Sequence, residues 1–166
     1  MRLTTYSDYA LRCLIFLAIQ EDQEKLLNIK NIAEEFEISQ NHLTKIIHQL
    51  ATIGYIESVR GRNGGIRLAK SPASINLAEV IKQTEVDFNL VECFAPLDKE
   101  LFFRPQRQGQ ALATTELTAS HCKISPRCQL KRIFFEATQS FLNVLNQYTL
   151  ADVISNKAEL RGLLAS

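Results

Sequence analysis

The stretch Ser39-Gln40-Asn41-His42-Leu43-Thr44-Lys45-Ile46-Ile47-His48-Gln49-Leu50, followed by Gly54 and by Arg60-Gly61-Arg62-Asn63-Gly64-Gly65, decides how the chain folds. Leu43, Ile46, Ile47 and Leu50 recur at helical spacing, so one side of a helix over about Gln40 to Ile53 is apolar. Gln40, Asn41, Thr44, Lys45 and His48 fall on the other side, with His42 at the boundary. Ser39 stands where a helix N-cap belongs and Gly54 where a left-handed C-terminal cap belongs. Upstream, Asn28 precedes Ile29, Ile32, Ala33 and Phe36, a second short helix, and Glu37-Ile38-Ser39 is the turn between them. Amide side chains read adenine and lysine reads guanine in the major groove, so this polar face suits a recognition helix. A solvated face on a plain helical hairpin is the competing reading.

The next residues decide between them. Tyr55 to Val59 and Ile66 to Ala69 read as short strands, and the glycines between them supply the positive φ angles a tight hairpin needs. Arg60 and Arg62 at its tip suit phosphate or a narrow minor groove. Helix, turn, helix and basic hairpin make a winged helix. From Ile38 to Ser71 the basic residues are Lys45, Arg60, Arg62, Arg67 and Lys70 against the single acid Glu57, while the whole chain of 166 residues carries a net charge of only +1. Confined positive charge of this kind marks a DNA-facing surface. The expected DNA-contacting set is Ser39, Gln40, Asn41, His42, Thr44, Lys45, His48, Arg60, Arg62 and Asn63.

Outside this unit, about Thr5 to Gln20 reads as a helix apolar nearly all round, with Cys13 at its middle as a small buried hydrophobe and Asp8 in its first turn. Asn76 and Glu79 have the pattern of a capping box and start a helix to about Glu85. From Cys128 to about Tyr148, Leu130, Phe134, Ala137, Phe141, Val144 and Tyr148 are spaced 4, 3, 4, 3, 4, with Ile133, Phe135, Leu142 and Leu145 widening the stripe. So broad an apolar face on one helix predicts a two-fold homodimer. Thr149 to Ile154 starts one more short helix. The fold expected is mainly α (α+β): a winged helix-turn-helix domain over 1–86, a cysteine-bearing loop over 87–128 with a long insert at 95–121, a dimerisation helix and turn over 129–155, and a frayed tail over 156–166. Poor order is expected across about Arg104 to Ser120.

Three of the four cysteines, Cys93, Cys122 and Cys128, lie in that irregular region. Thiolates are the soft ligands that select iron–sulfur clusters or zinc, and three of them leave a fourth ligand to be found. His121 adjoins Cys122 as one candidate. Disulfide pairing ranks below metal binding because three is an odd number and nothing marks the chain for export; a Cys122–Cys128 disulfide is the thiol-switch alternative, and there is no basic-then-apolar leader and no apolar run of membrane-spanning length. The expected location is therefore the cytoplasm, with no membrane partner. No base–nucleophile pair and no phosphate-cradling loop opening a helix argue for an enzyme.

Several stretches carry a resemblance: Met1 to Arg12 (Met-Arg-Leu-Thr-Thr-Tyr-Ser-Asp-Tyr-Ala-Leu-Arg), Ser39 to Lys45, Gly54-Tyr55-Ile56, Val59 to Gly65, Leu90-Val91-Glu92-Cys93-Phe94 and Tyr148-Thr149-Leu150-Ala151-Asp152. Together they resemble the IscR/NsrR family of winged-helix regulators, and within it the NsrR type, nitric-oxide-sensing repressors that hold an iron–sulfur cluster. The resemblance implies Cys93, Cys122 and Cys128 as cluster ligands with Asp8 as the fourth, donated from the other subunit, and a 4Fe–4S cluster ahead of 2Fe–2S. It also implies a palindromic double-stranded operator, a homodimer and nitric oxide as the signal. The IscR branch has a histidine three residues past its last cysteine, where Lys131 stands here. In that family the first two ligand cysteines are close in sequence, whereas here 28 residues separate Cys93 from Cys122.

Overall fold

The computed structural model describes residues 2–22, 24–94, 99–103 and 122–164. Its elements in order are α1 (Thr5–Ala18), α2 (Ile29–Glu35), α3 (Gln40–Thr52), β1 (Ile56–Val59), β2 (Gly65–Leu68), α4 (Leu77–Thr84), α5 (Gln129–Leu145), α6 (Leu150–Val153) and α7 (Lys157–Leu164), with short 3-10 turns between. This is the mainly helical winged-helix architecture expected, with one small antiparallel sheet.

The helix-turn-helix is set by two chain reversals of the same kind. At the end of α3 the Tyr55 N–H donates to Leu50 O and the Gly54 N–H to Ala51 O, with Gly54 at φ +80. At the end of α2 the Ile38 N–H donates to Ala33 O and the Glu37 N–H to Glu34 O. Both are Schellman ends, which need a left-handed residue. In the second that residue is Glu37, at φ 52 rather than a glycine. A side chain in that region is strained, so Glu37→Gly is expected to raise stability by about 0.5–1 kcal/mol, read as a higher denaturant midpoint at unchanged slope. Ser39 occupies the N-cap of α3, but its side chain makes no capping bond; its carbonyl accepts from the Leu43 N–H instead.

The wing pairs Ile56 with Leu68 and Val59 with Gly65. A third segment joins it: Leu27, in the connector before α2, exchanges both backbone hydrogen bonds with Ile66 at 2.9 Å. The hairpin glycines serve two needs. Gly61 takes a positive φ, whereas Gly64 and Gly65 are small for close approach, since a Cβ would stand 2.2 Å from Val59 O and 2.7 Å from Leu27 O respectively. At α4 the Asn76 side chain accepts from the Ala78 and Glu79 N–H groups. A fully reciprocal capping box stands instead at α6, between Thr149 and Asp152. There the Thr149 hydrogen bonds hold the Asp152 carboxyl below the usual carboxylate range.

Two apolar clusters result. The first gathers α1, α2, α3, the wing and α6 around Leu14, Ile46, Leu50 and Ile66. The second joins the end of α4 to α5 through Ile81, Phe88, Phe102, Phe135 and Leu142. Helix α5 faces two ways. Lys131, Phe135, Thr138, Gln139 and Leu142 are buried in the chain itself. Leu130, Ile133, Val144 and Tyr148 remain 53%, 52%, 53% and 48% exposed, and Ala137 is exposed beside them. Phe134 and Phe141 are half-buried along the edge of the second cluster. The expected frayed tail is corrected. Residues 157–164 form α7, whose Leu160 and Leu164 pack on the first cluster and whose Arg161 bonds Ile19 O and the Glu21 carboxylate. The stretch Arg104 to Ser120 and His121 lie outside the described residues.

Candidate nucleic-acid interface and cysteine site

The recognition helix exposes one face. Gln40, Asn41, Thr44, Lys45 and His48 are exposed, while Leu43, Ile46, Ile47 and Leu50 are buried. Helix α1 braces it from behind. The Tyr6 hydroxyl donates to Lys45 O at 3.3 Å, and the His42 ring lies 5.5 Å from Tyr9 and 6.0 Å from Tyr6. His42 is thus half-buried and packs α3 onto α1. The Thr44 hydroxyl is spent on Gln40 O within its own helix. Ser39 is exposed at the helix start, where anionic groups are favoured.

On the wing, Arg60, Arg62 and Asn63 are exposed at the tip. Arg67 is different. Its guanidinium bonds Glu57 and Glu24, so two acids neutralise it and the positive face shrinks to Lys45, Arg60, Arg62 and Lys70. If each tip arginine neutralises one phosphate, Arg60→Ala and Arg62→Ala are each expected to flatten the slope of log K against log salt by about 0.9. A fluorescence-anisotropy titration from low to moderate salt reads that slope.

The cysteines divide by environment. Cys13 is wholly buried in α1, and burial pushes its thiol up to about 12, so it stays a neutral hydrophobe. Cys93 sits half-buried in the 3-10 turn Glu92–Phe94 and packs on the second cluster. Cys122 is exposed, and Cys128 is half-buried at the N-cap of α5. One wound turn links these two. The Ser125 N–H donates to Cys122 O at 3.0 Å and the Cys128 N–H to Ser125 O at 3.3 Å. All four cysteines are free thiols. Asp8 projects from the first turn of α1 with its side chain 46% exposed and pairs with Arg12 at 2.9 Å. The Arg12 guanidinium in turn lies over the rings of Tyr9 and Phe36. Among the described residues, no three His, Cys, Asp or Glu side chains of one chain converge to hold a metal ion. The donor chemistry nevertheless fits a cluster: two thiols ending one turn, a third at the rim of the second apolar cluster, and an outward carboxylate on α1.

Three features escaped the sequence reading. The last turn of α4 is a junction. Glu85, only 6% exposed, accepts from the Thr4 N–H at 2.8 Å and from the Thr4 hydroxyl at 3.0 Å. Gln83 O accepts from the Gln49 side chain of α3, and Lys99 donates to Lys82 O and Glu85 O. Segment 99–103, inside the expected insert, is docked there through the Lys82–Glu100 pair and by Phe102, whose ring lies 4.8 Å from Phe135. Lys131 is buried behind the cysteine turn. The first two are long-range polar or ring contacts, and the third a buried lysine, none of which local periodicity announces.

The family model for iron-dependent transcriptional regulators called Rrf2 matches residues 3–156. The chain belongs to the Rrf2 family. Among curated relatives, the HTH-type transcriptional regulator NsrR of Bacillus licheniformis is 48% identical over 165 residues, covering 99% of this chain and 100% of that protein. The regulator of the same name from Bacillus subtilis is 45% identical over 164 residues, covering 99% and 97%. Among solved structures, CymR, the global cysteine regulator of B. subtilis, superposes with a TM-score of 0.63 at 21% identity, over 94% of this chain and 98% of that one. T. potens IscR does so with a TM-score of 0.62 at 23% identity, over 94% and 88%. These two carry the fold alone. As an Rrf2 member with a winged helix, the chain is a DNA-binding transcriptional regulator and not an enzyme. Among the described residues, no helix is long and apolar enough to cross a membrane.

Proposed function

We propose that this regulator is a homodimeric repressor that senses nitric oxide through an iron–sulfur cluster held by Cys93, Cys122, Cys128 and Asp8 of the partner subunit. The observation that carries the reading is that Cys122 and Cys128 end a single turn at the head of α5, the same helix that bears the uncovered apolar stripe. Thiol site and dimer face therefore share one rigid element. When bound, such a cluster supplies an iron whose oxygen ligand is its weakest, and that iron is where nitric oxide would attack.

The chain's own residues do the rest. Asp8 lies one turn into α1, and Tyr6 and Tyr9 of that helix brace α3, so a carboxylate held by the partner fixes the spacing of two recognition helices. Arg12 keeps the carboxylate oriented and rests on Phe36 of α2. In the dimer the two α3 helices enter successive major grooves of a palindromic operator, about one helical turn apart, with Arg60 and Arg62 reaching the flanking grooves. Loss of the Asp8 tie frees α1, the spacing relaxes and DNA is released. A 4Fe–4S cluster is favoured, with 2Fe–2S the alternative.

The test is anaerobic reconstitution followed by operator binding. Loaded protein is expected to show visible absorption with iron and acid-labile sulfide, to bind operator, and to lose it on nitric oxide addition. A Cys93→Ala variant is expected to show no visible absorption. Colourless protein containing zinc, or release by peroxide with no metal present, would replace this reading with a zinc site or a Cys122–Cys128 thiol switch.

A further inference from the structure

We infer that Lys131 is a positioning residue for the cysteine site, fixing through Ser125 the turn that presents Cys122 and Cys128; the inference rests on the reading of those cysteines as ligands. Between the two cysteines, Lys123, Ile124, Pro126 and Arg127 are all exposed. Ser125 is the one buried residue, 4% exposed. It also bonds to both cysteines, its N–H to Cys122 O and its carbonyl to the Cys128 N–H. Its hydroxyl accepts from Lys131 Nζ at 3.2 Å. The turn thus has an inward polar anchor at its midpoint, and Lys131 supplies it.

An ammonium 2% exposed is an unusual choice for that anchor. Burying it is costly unless its donors are used, and a hydrophobic residue of the same length would fill the space at lower cost. Toward the cysteine turn the lysine gives a donor aimed at Ser125, from a position one helical turn after Cys128. Outer residues that orient ligands in this way matter to metal affinity almost as much as the ligands do.

The experiment compares wild type with Lys131→Met, Lys131→Arg, Ser125→Ala and the Lys131→Met/Ser125→Ala double variant. In reconstituted protein, the rate of iron loss to a ferrous chelator is expected to rise about 10- to 100-fold in Lys131→Met and in Ser125→Ala, with no further rise in the double variant. Lys131→Arg, which keeps the donor and the charge, is expected to recover most of the retention. In cluster-free protein, mass spectrometry of iodoacetamide labelling is expected to show Cys128 alkylated several times faster in both single variants, with Cys93 and Cys13 unchanged. Wild-type iron loss and labelling in Lys131→Met would overturn the inference. So would a rise at all four cysteines together with a lowered melting temperature, which marks a core residue only. Wild type that takes up no iron or sulfide would sink the ligand reading instead, while the cluster-free labelling still judges Lys131. Ser125→Ala removes one oxygen and keeps the test open if Lys131→Met does not fold.

Discussion

Ile133→Asp is expected to turn the protein into a monomer at micromolar concentration and to weaken operator binding at least about 100-fold, because a linked pair of half-site readers gains about 10²–10⁴ over one alone. Ile133 is half-exposed in the single chain, flanked by Leu130 and Ala137 on the uncovered side of α5. In a two-fold dimer it meets the same stripe of its partner, so one substitution places two carboxylates in a surface drying out on association. An unpaired charge in such a place costs several kcal/mol. The chain's own fold does not need the residue, so circular dichroism should be unchanged. Phe135→Asp, on the opposite side of the same helix and 2% exposed, should instead unfold the second cluster. Sedimentation of Ile133→Asp at the wild-type mass would refute the assignment of this stripe to the dimer.

That contrast shows how far the sequence could be read. The 4-3-4-3-4 spacing located the stripe on α5, because a heptad is local information. It could not say that Phe135 and Leu142, at the margin of the stripe, turn inward. The ring that Phe135 meets is Phe102, from a segment more than thirty residues away with no periodicity of its own. The recognition helix was legible for the same reason as the stripe, and so was its end at Gly54. The turn before it was legible only in place. Its left-handed residue is Glu37, and a glutamate advertises nothing of the kind. The tail over 156–166 was expected to fray, yet α7 is held by Arg161 reaching the Ile19 carbonyl at the end of α1.

The candidate site was legible as a set of residue types rather than as a site. Cys13 could be set aside from its apolar neighbours, and its complete burial agrees. Cys122 and Cys128 were visible as a pair, but the turn between them depends on Ser125 and Lys131, and a lysine in sequence reads as surface. Asp8 is the sharpest case. It came from the resemblance alone, because no local pattern can pair a carboxylate in α1 with thiols at the head of α5. Its 46% exposure and its outward ion pair with Arg12 suit a ligand given to another chain.

Glu85→Ala is expected to cost about 3 kcal/mol of stability, since a buried carboxylate that accepts two hydrogen bonds is removed and the Thr4 N–H is left without its acceptor. A denaturant titration reads this directly. The same substitution separates structure from signalling. Thr4 caps α1 one turn before Asp8, and through Glu85 it is fixed to the end of α4. The same turn of α4 receives Gln49 from the recognition helix and Lys99 from the segment after Cys93. Any change in where α1 sits must pass this junction to reach α3 from its far side, while Tyr6 and Tyr9 carry it from the near side. With Glu85 gone, the ratio of operator affinities between loaded and cluster-free protein should fall toward one by a factor of about 5 or more, the lower end of ordinary coupling energies. Glu85→Gln keeps one acceptor at the same place and should retain most of both effects. A variant as unstable as expected but with its affinity ratio intact would mean that the junction holds the fold together and transmits nothing.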